Sequence, residues 1–166
     1  MPPADAPLPE PGSIAERVLL NSMVDPLWTR TAEWRKAEIP AANGHGNARA
    51  LAKVTAVLAG DGSFAGKQLL SAATCRSVLD EQTNGMDLVI GVPVRFGLGY
   101  ALQNETFRFS PNERVAFWGG WGGSLVVADM DAQLSIGFAM NRMRADAIVG
   151  DVRTHRLCEA LYAELG

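Results

Sequence analysis

The chain has 166 residues, 48% of them apolar, and a formal net charge of −3. That length suits one domain with a core of its own, and a mean hydropathy near zero is that of a soluble globular chain. The arginines are scattered and form no basic cluster, so a nucleic-acid partner is not expected.

No apolar run approaches the length of a membrane span, so no membrane association is expected. The start, Met1-Pro2-Pro3-Ala4-Asp5-Ala6, lacks the basic head and apolar centre of a signal peptide, which points to the cytoplasm. Cys75 and Cys158 lie far apart on helix-like faces and read as reduced, buried thiols. His45 and His155 are solitary, and no Cys/His cluster has ligand spacing. No metal and no cofactor are expected.

Residues 1–12 are rich in proline and read as a flexible lead-in to a domain over residues 13–166. Ser13-Ile14-Ala15-Glu16 has the form of a capping box and opens a first helix. Ala15, Val18, Leu19, Ser22 and Met23 follow at helical spacing, and Asp25-Pro26 ends it. Trp28 and Trp34 read as packing residues, with a pocket wall as the alternative. Residues 39–46 form a loop in which His45 is solvated. Asn47 caps a strong helix that puts Leu51, Val54, Thr55 and Leu58 on one face, with Gly60 as its C-cap. Ser71 caps another, with Ala72, Cys75, Val78 and Leu79 inward and Gly85 at its end.

Pro93 argues against a central strand over residues 86–93. From Phe96 to Leu102, large residues alternate with Gly97, Gly99 and Ala101, which predicts a strand, and 106–110 is its expected partner. Arg114–Phe117, Leu125–Asp129 and Leu134–Asn141 read as further strands, with a turn over Met130–Gln133. The tail from Ala145 to Leu165 is predicted to be a well-covered helix. Its Ile148, Val152, His155, Cys158 and Tyr162 share one face, and Leu157 and Leu161 lie on another side. Helices, then an antiparallel meander, then a helix make an α+β fold: an antiparallel β-sheet with helices packed on it.

Between two of those strands lies Phe117-Trp118-Gly119-Gly120-Trp121-Gly122-Gly123-Ser124. Glycine within a strand marks close approach to the backbone, and each tryptophan adds an apolar wall and one N–H donor. Two readings fit these residues: a glycine-rich hairpin with core tryptophans, or a strand facing a ligand.

This stretch, taken with Ile39–Asn47, Ala48–Gly60, Leu69-Leu70-Ser71, Phe96–Tyr100, Ala128-Asp129 and Met140–Met143, resembles the C-terminal half of the β-lactamase-related serine hydrolases. That group, of β-lactamase/transpeptidase-like fold, contains the family VIII carboxylesterases. The resemblance covers most of residues 13–166. It puts Trp118-Gly119-Gly120 in the place of the third active-site motif, Lys-Thr-Gly in β-lactamases and often Trp-Gly-Gly in the esterases. By that resemblance Trp118, Gly119 and Gly120 bind substrate, and the backbone N–H of Trp121 is one oxyanion donor. The implied substrate is a small-molecule ester. A tryptophan in place of the lysine has no charge with which to hold a carboxylate, which favours neutral esters over β-lactams.

The chain departs from that family's pattern. None of the serines at 13, 22, 63, 71, 77, 110, 124 and 135 has lysine three residues on, and Ser63 has Lys67 four on. Tyr-x-Asn is missing too, since Tyr100 is followed by Ala101 and Leu102. Both motifs precede residue 1 in the family order, so the chain is expected to be a C-terminal portion, inactive in isolation. The missing N-terminal half, or a second copy, is the implied partner. The competing reading is a non-catalytic binding module that uses the same tryptophan-lined cleft.

Overall fold

The computed structural model describes residues 8–21, 25–144 and 149–166. Helix α1 (Ile14–Leu19) starts where Ser13 accepts a hydrogen bond from the Glu16 amide. Glu16 reaches back one residue further than a capping box requires, accepting from the Gly12 amide at 2.6 Å. The helix stops at Leu20; Ser22 and Met23, expected on its face, lie outside the described residues. Asp25-Pro26 opens a new element instead of only ending the old one. The Asp25 carboxylate caps a 3₁₀ turn over Pro26–Arg30, where proline's missing N–H costs nothing.

Helix α2 (Ala32–Lys36) buries Trp34, whereas Trp28 is half exposed, so only one of these two tryptophans packs as expected. His45 is exposed on the loop before α3 (Ala48–Ala59), which Asn47 and Gly60 cap as predicted. Its covered face is shifted by about one position. Thr55, Leu58 and Ala59 are buried and Val54 is exposed.

A small hairpin follows, β1 (Ser63–Phe64) with β2 (Lys67–Gln68), and then α4 (Ala72–Ser77), capped by Ser71. The Ser63 hydroxyl donates to the Gln68 side-chain carbonyl at 2.6 Å, so it bonds the glutamine and not Lys67. Gly85 does not end α4. It sits inside β3 (Thr83–Met86), paired with Val94 of β4 (Pro93–Phe96). Pro93 is tolerated because it is the first residue of its strand.

The predicted strand from Phe96 to Leu102 is two strands and a turn. β4 ends at Phe96, Gly97 donates to the Tyr100 carbonyl, and β5 (Ala101–Leu102) pairs back on β4. Gly99 takes a φ of +77°, which glycine adopts without strain. The expected strand over 106–110 is absent. Side chains bond this segment instead: Gln103 accepts from the amides of Phe109 and Ser110, and Asn104 from those of Thr106 and Phe107.

β6 (Val115–Gly119), β7 (Leu125–Asp129) and β8 (Leu134–Phe138) then form an antiparallel meander, turned at Met130–Gln133 as expected. The sheet runs β3-β4-β5-β6-β7-β8, so consecutive strands are always neighbours. This is an α+β architecture.

Strand alternation gives the sheet two faces. Val115, Phe117, Leu125, Val127 and Ile136 pack with Phe109 and with Cys158 of α5 (Val152–Leu165). Ala128 packs with Leu58 and Ala59 of α3 and Cys75 of α4. Both cysteines are free and buried. Burial raises both thiols, Cys158 to about 11. The tail helix begins only at Val152, because Asp151 caps it; Ile148 lies outside the described residues. Val152 and Leu157 are exposed, so the helix is covered along one stripe only. His155 stacks on Phe109, with ring centroids 4.5 Å apart. No helix among the described residues is long and apolar enough to cross a membrane.

Candidate active site

The glycine-tryptophan stretch is the end of β6 and the connection to β7. Alternation along β6 buries Phe117 completely and turns Trp118 outward, 36% exposed. Trp118 lies 5.2 Å from the Phe96 ring, in a tilted pair. Past Gly119, the Gly120 amide donates to the Ser124 carbonyl at 2.8 Å and the Gly123 amide to the Gly120 carbonyl at 3.0 Å. Residues 120–123 are therefore a tight turn. Gly122 stands third in it with φ +94°, the position at which such turns call for glycine.

The turn leaves its two central amides unused. Among the described residues neither the Trp121 nor the Gly122 main-chain N–H has a hydrogen-bond partner. Gly122 is buried, while Trp121 is 41% exposed. Neither indole N–H of Trp118 and Trp121 has a partner among the described residues.

The four glycines are there for different reasons. A Cβ on Gly119 would lie 2.7 Å from the Gly150 nitrogen and 2.8 Å from the Val149 Cα, so the chain's own backbone fills that space. At Gly120 the nearest atom to such a Cβ is the Ser124 Cβ, 3.9 Å away, and the residue is exposed. A Cβ on Gly122 would strike the Met143 side chain at 2.8 Å. At Gly123 it would strike the Asp151 carboxylate.

Asp151 and Arg153, at the start of α5, hold the turn from behind. Asp151 accepts from the Arg153 amide at 2.7 Å and pairs with the Arg153 guanidinium. Arg153 also donates to the Gly122 carbonyl at 3.3 Å and the Arg142 carbonyl at 2.9 Å. The Arg144 amide donates to the same Gly122 carbonyl at 3.1 Å. The Arg153 hydrogen bond, offset by burial, holds the Asp151 carboxyl below its usual range.

The fold and sequence are similar to those of known proteins. A family VIII carboxylesterase structure is 41% identical, with a TM-score of 0.74 over 80% of this chain. A penicillin-binding protein homolog from Caulobacter crescentus is 34% identical, with a TM-score of 0.80 over 98% of it. The Beta-lactamase family profile matches residues 2–159. The chain belongs to the beta-lactamase family.

EstA from Arthrobacter nitroguajacolicus Rue61a shares the beta-lactamase-like fold at 24% identity and a TM-score of 0.59, over 70% of this chain. The chain spans 35%, 43% and 31% of the lengths of these three proteins, in the order given. No curated protein sequence matches it. The α+β meander is thus that of a β-lactamase/transpeptidase-like fold, and the chain is related to serine hydrolases of esterase type.

Of the residues singled out from sequence, Trp118, Gly119, Gly120 and Trp121 follow one another along the strand end and turn. Sequence reasoning missed Asp151 and Arg153. The available signal was the Gly150-Asp151 step, which has the form of a helix start. It also missed what surrounds Asp129, a carboxylate on the inward face of β7. Asp129 accepts from Ser110 (2.6 Å), Asn112 (2.9 Å), Tyr162 (2.7 Å) and the amides of Asp131 and Ala132.

Proposed function

We propose that this chain is the strand-bearing portion of a carboxylesterase-like serine hydrolase, working by an acyl-serine mechanism on neutral esters. The observation that carries this reading is the main-chain N–H of Trp121, which has no hydrogen-bond partner among the described residues; Trp121 is half-exposed at the tip of the turn that follows Trp118-Gly119-Gly120. An acyl-transfer site needs an activated hydroxyl, a proton shuttle and donors for the oxyanion. The Trp121 N–H is one such donor. The second donor and the nucleophile belong to a Ser-x-x-Lys segment carried by another portion of the enzyme.

Gly120 is exposed, with only the Ser124 Cβ within 4 Å of where its side chain would be, and leaves room for a substrate along the strand end. Gly119 contributes main chain only, because its side-chain volume is taken by Val149 and Gly150. Trp118 offers an apolar wall and no charge, which suits an uncharged acyl ester better than a carboxylate-bearing β-lactam.

The test is reconstitution. The chain is co-expressed with the Ser-x-x-Lys-bearing portion of the 41%-identical family VIII carboxylesterase, and hydrolysis of a short-chain p-nitrophenyl ester is measured. The expected result is hydrolysis by the pair, little by either part, and slower turnover of penicillins. Serine-directed labelling of the isolated chain by a fluorophosphonate probe contradicts the reading.

A further inference from the structure

We propose that Asp151 and Arg153 are positioning residues that clamp the Gly120–Gly123 turn and so aim the Trp121 amide. This rests on the reading of Trp121 as an oxyanion donor, and it names the device that keeps that donor fixed.

Such a donor is effective only when it is held where charge develops before the reaction begins. Among the described residues the Trp121 N–H is not fixed by a hydrogen bond of its own. Its own peptide plane carries the Gly120 carbonyl, which accepts from the Gly123 amide at 3.0 Å, and the plane of that amide carries the Gly122 carbonyl. That oxygen accepts from the Arg153 guanidinium at 3.3 Å and the Arg144 amide at 3.1 Å. Arg153 cannot swing away, because its planar fork also pairs with Asp151 and reaches the Arg142 carbonyl at 2.9 Å. The Asp151 side chain is 3% exposed and occupies the volume that a Gly123 Cβ would need. It serves at once as the N-cap of α5 and as the seat of Arg153. The start of α5, a rigid element, is thereby tied to a turn with few bonds of its own.

Two variants separate the clamp from the cap. Asp151→Asn keeps an oxygen that caps α5 and removes the charge that seats Arg153. Arg153→Lys keeps the charge and removes the fork. Each is read in the full chain by amide NMR. Losing a charge-assisted hydrogen bond predicts about tenfold faster hydrogen exchange at the Gly123 and Arg144 amides. The order parameter of the Trp121 amide falls from about 0.85 towards about 0.6. The Val127 amide in β7 exchanges as in the parent chain.

Parent-like exchange and order at the turn in both variants overturns the proposal. So does an equal acceleration at Val127, which marks general loosening. A variant that does not fold leaves the other to decide. Changes at the turn without any ester hydrolysis in the reconstituted pair would leave the clamp standing and remove the oxyanion reading. With hydrolysis, both variants lower kcat and leave KM near the parent value, because the donor acts in the transition state.

Discussion

Tyr162 donates its phenolic hydrogen to Asp129 at 2.7 Å, joining the last helix to the end of β7. Ser110 and Asn112 donate to the same carboxylate oxygen, so three distant segments meet on one buried charge. Its other oxygen takes the amides of Asp131 and Ala132 and shapes the β7–β8 turn. Asp129→Ala leaves those donors buried without an acceptor. It should destabilise the fold by about 3 kcal/mol, and Tyr162→Phe by about 1.5 kcal/mol, read from urea midpoints.

The same cluster fixes the acid limb of stability. Burial alone pushes the Asp129 carboxyl up, but the Ala132 amide, Ser110, Tyr162 and Asn112 together hold it below the usual range. As pH falls, the unfolded chain therefore takes up the proton first. The contribution is complete above about pH 3.9 and is lost as pH drops through the lower folded value. Asp131 and Asp151 are lowered as well, so they add to this limb. Denaturation at pH 7, 4 and 3 should show a steep loss below 4 in the parent and a shallower one in Asp129→Asn.

At alkaline pH the sign reverses. Burial, aided by the bond to Asp129 and opposed by that to Ser110, raises the Tyr162 hydroxyl. The unfolded chain loses that proton first, so stability falls as pH rises past about 10. Tyr162→Phe should flatten this limb in the same denaturation series.

Gly119 and Gly120 are neighbours with opposite tolerance. A methyl at 119 meets the main chain of Val149 and Gly150, which has no rotamer to yield. Gly119→Ala should cost about 2 kcal/mol by overpacking. Gly120→Ala makes only an ordinary contact with the Ser124 Cβ at 3.9 Å and should stay within about 0.5 kcal/mol, while slowing ester hydrolysis by the reconstituted pair. Thermal unfolding checks the first claim and the esterase assay the second.

Local chemistry was legible where one residue decides the outcome. Ser13, Asn47 and Ser71 announce their helices because each side chain accepts from an amide three residues on. Apolar alternation in 134–138 shows because Ile136 faces the core, and 125–128 is a continuous apolar run because Leu125 and Val127 pack on one face and Ala128 on the other. The same alternation misled at 96–102, where the small residues served a turn. Segment 106–110 was read as a strand, but the side chains of Gln103 and Asn104 supply its bonds. The resemblance singled out Trp121 as part of a strand, and the turn over 120–123 that carries it was not read. What holds it, Asp151 and Arg153, was not seen, because their partners at Gly122 and Gly123 lie about thirty residues earlier in the chain. Tertiary partners at that separation leave no periodic trace.

The most direct measurement removes one hydrogen atom's worth of donation. Proline suits the second position of a tight turn, so Trp121→Pro deletes the N–H while respecting the backbone. Trp121→Ala deletes the indole and keeps the N–H. In the reconstituted esterase pair, Trp121→Pro should fall at least about a hundredfold below Trp121→Ala in kcat. Equal rates for the two variants would contradict the assignment of the Trp121 amide as an oxyanion donor.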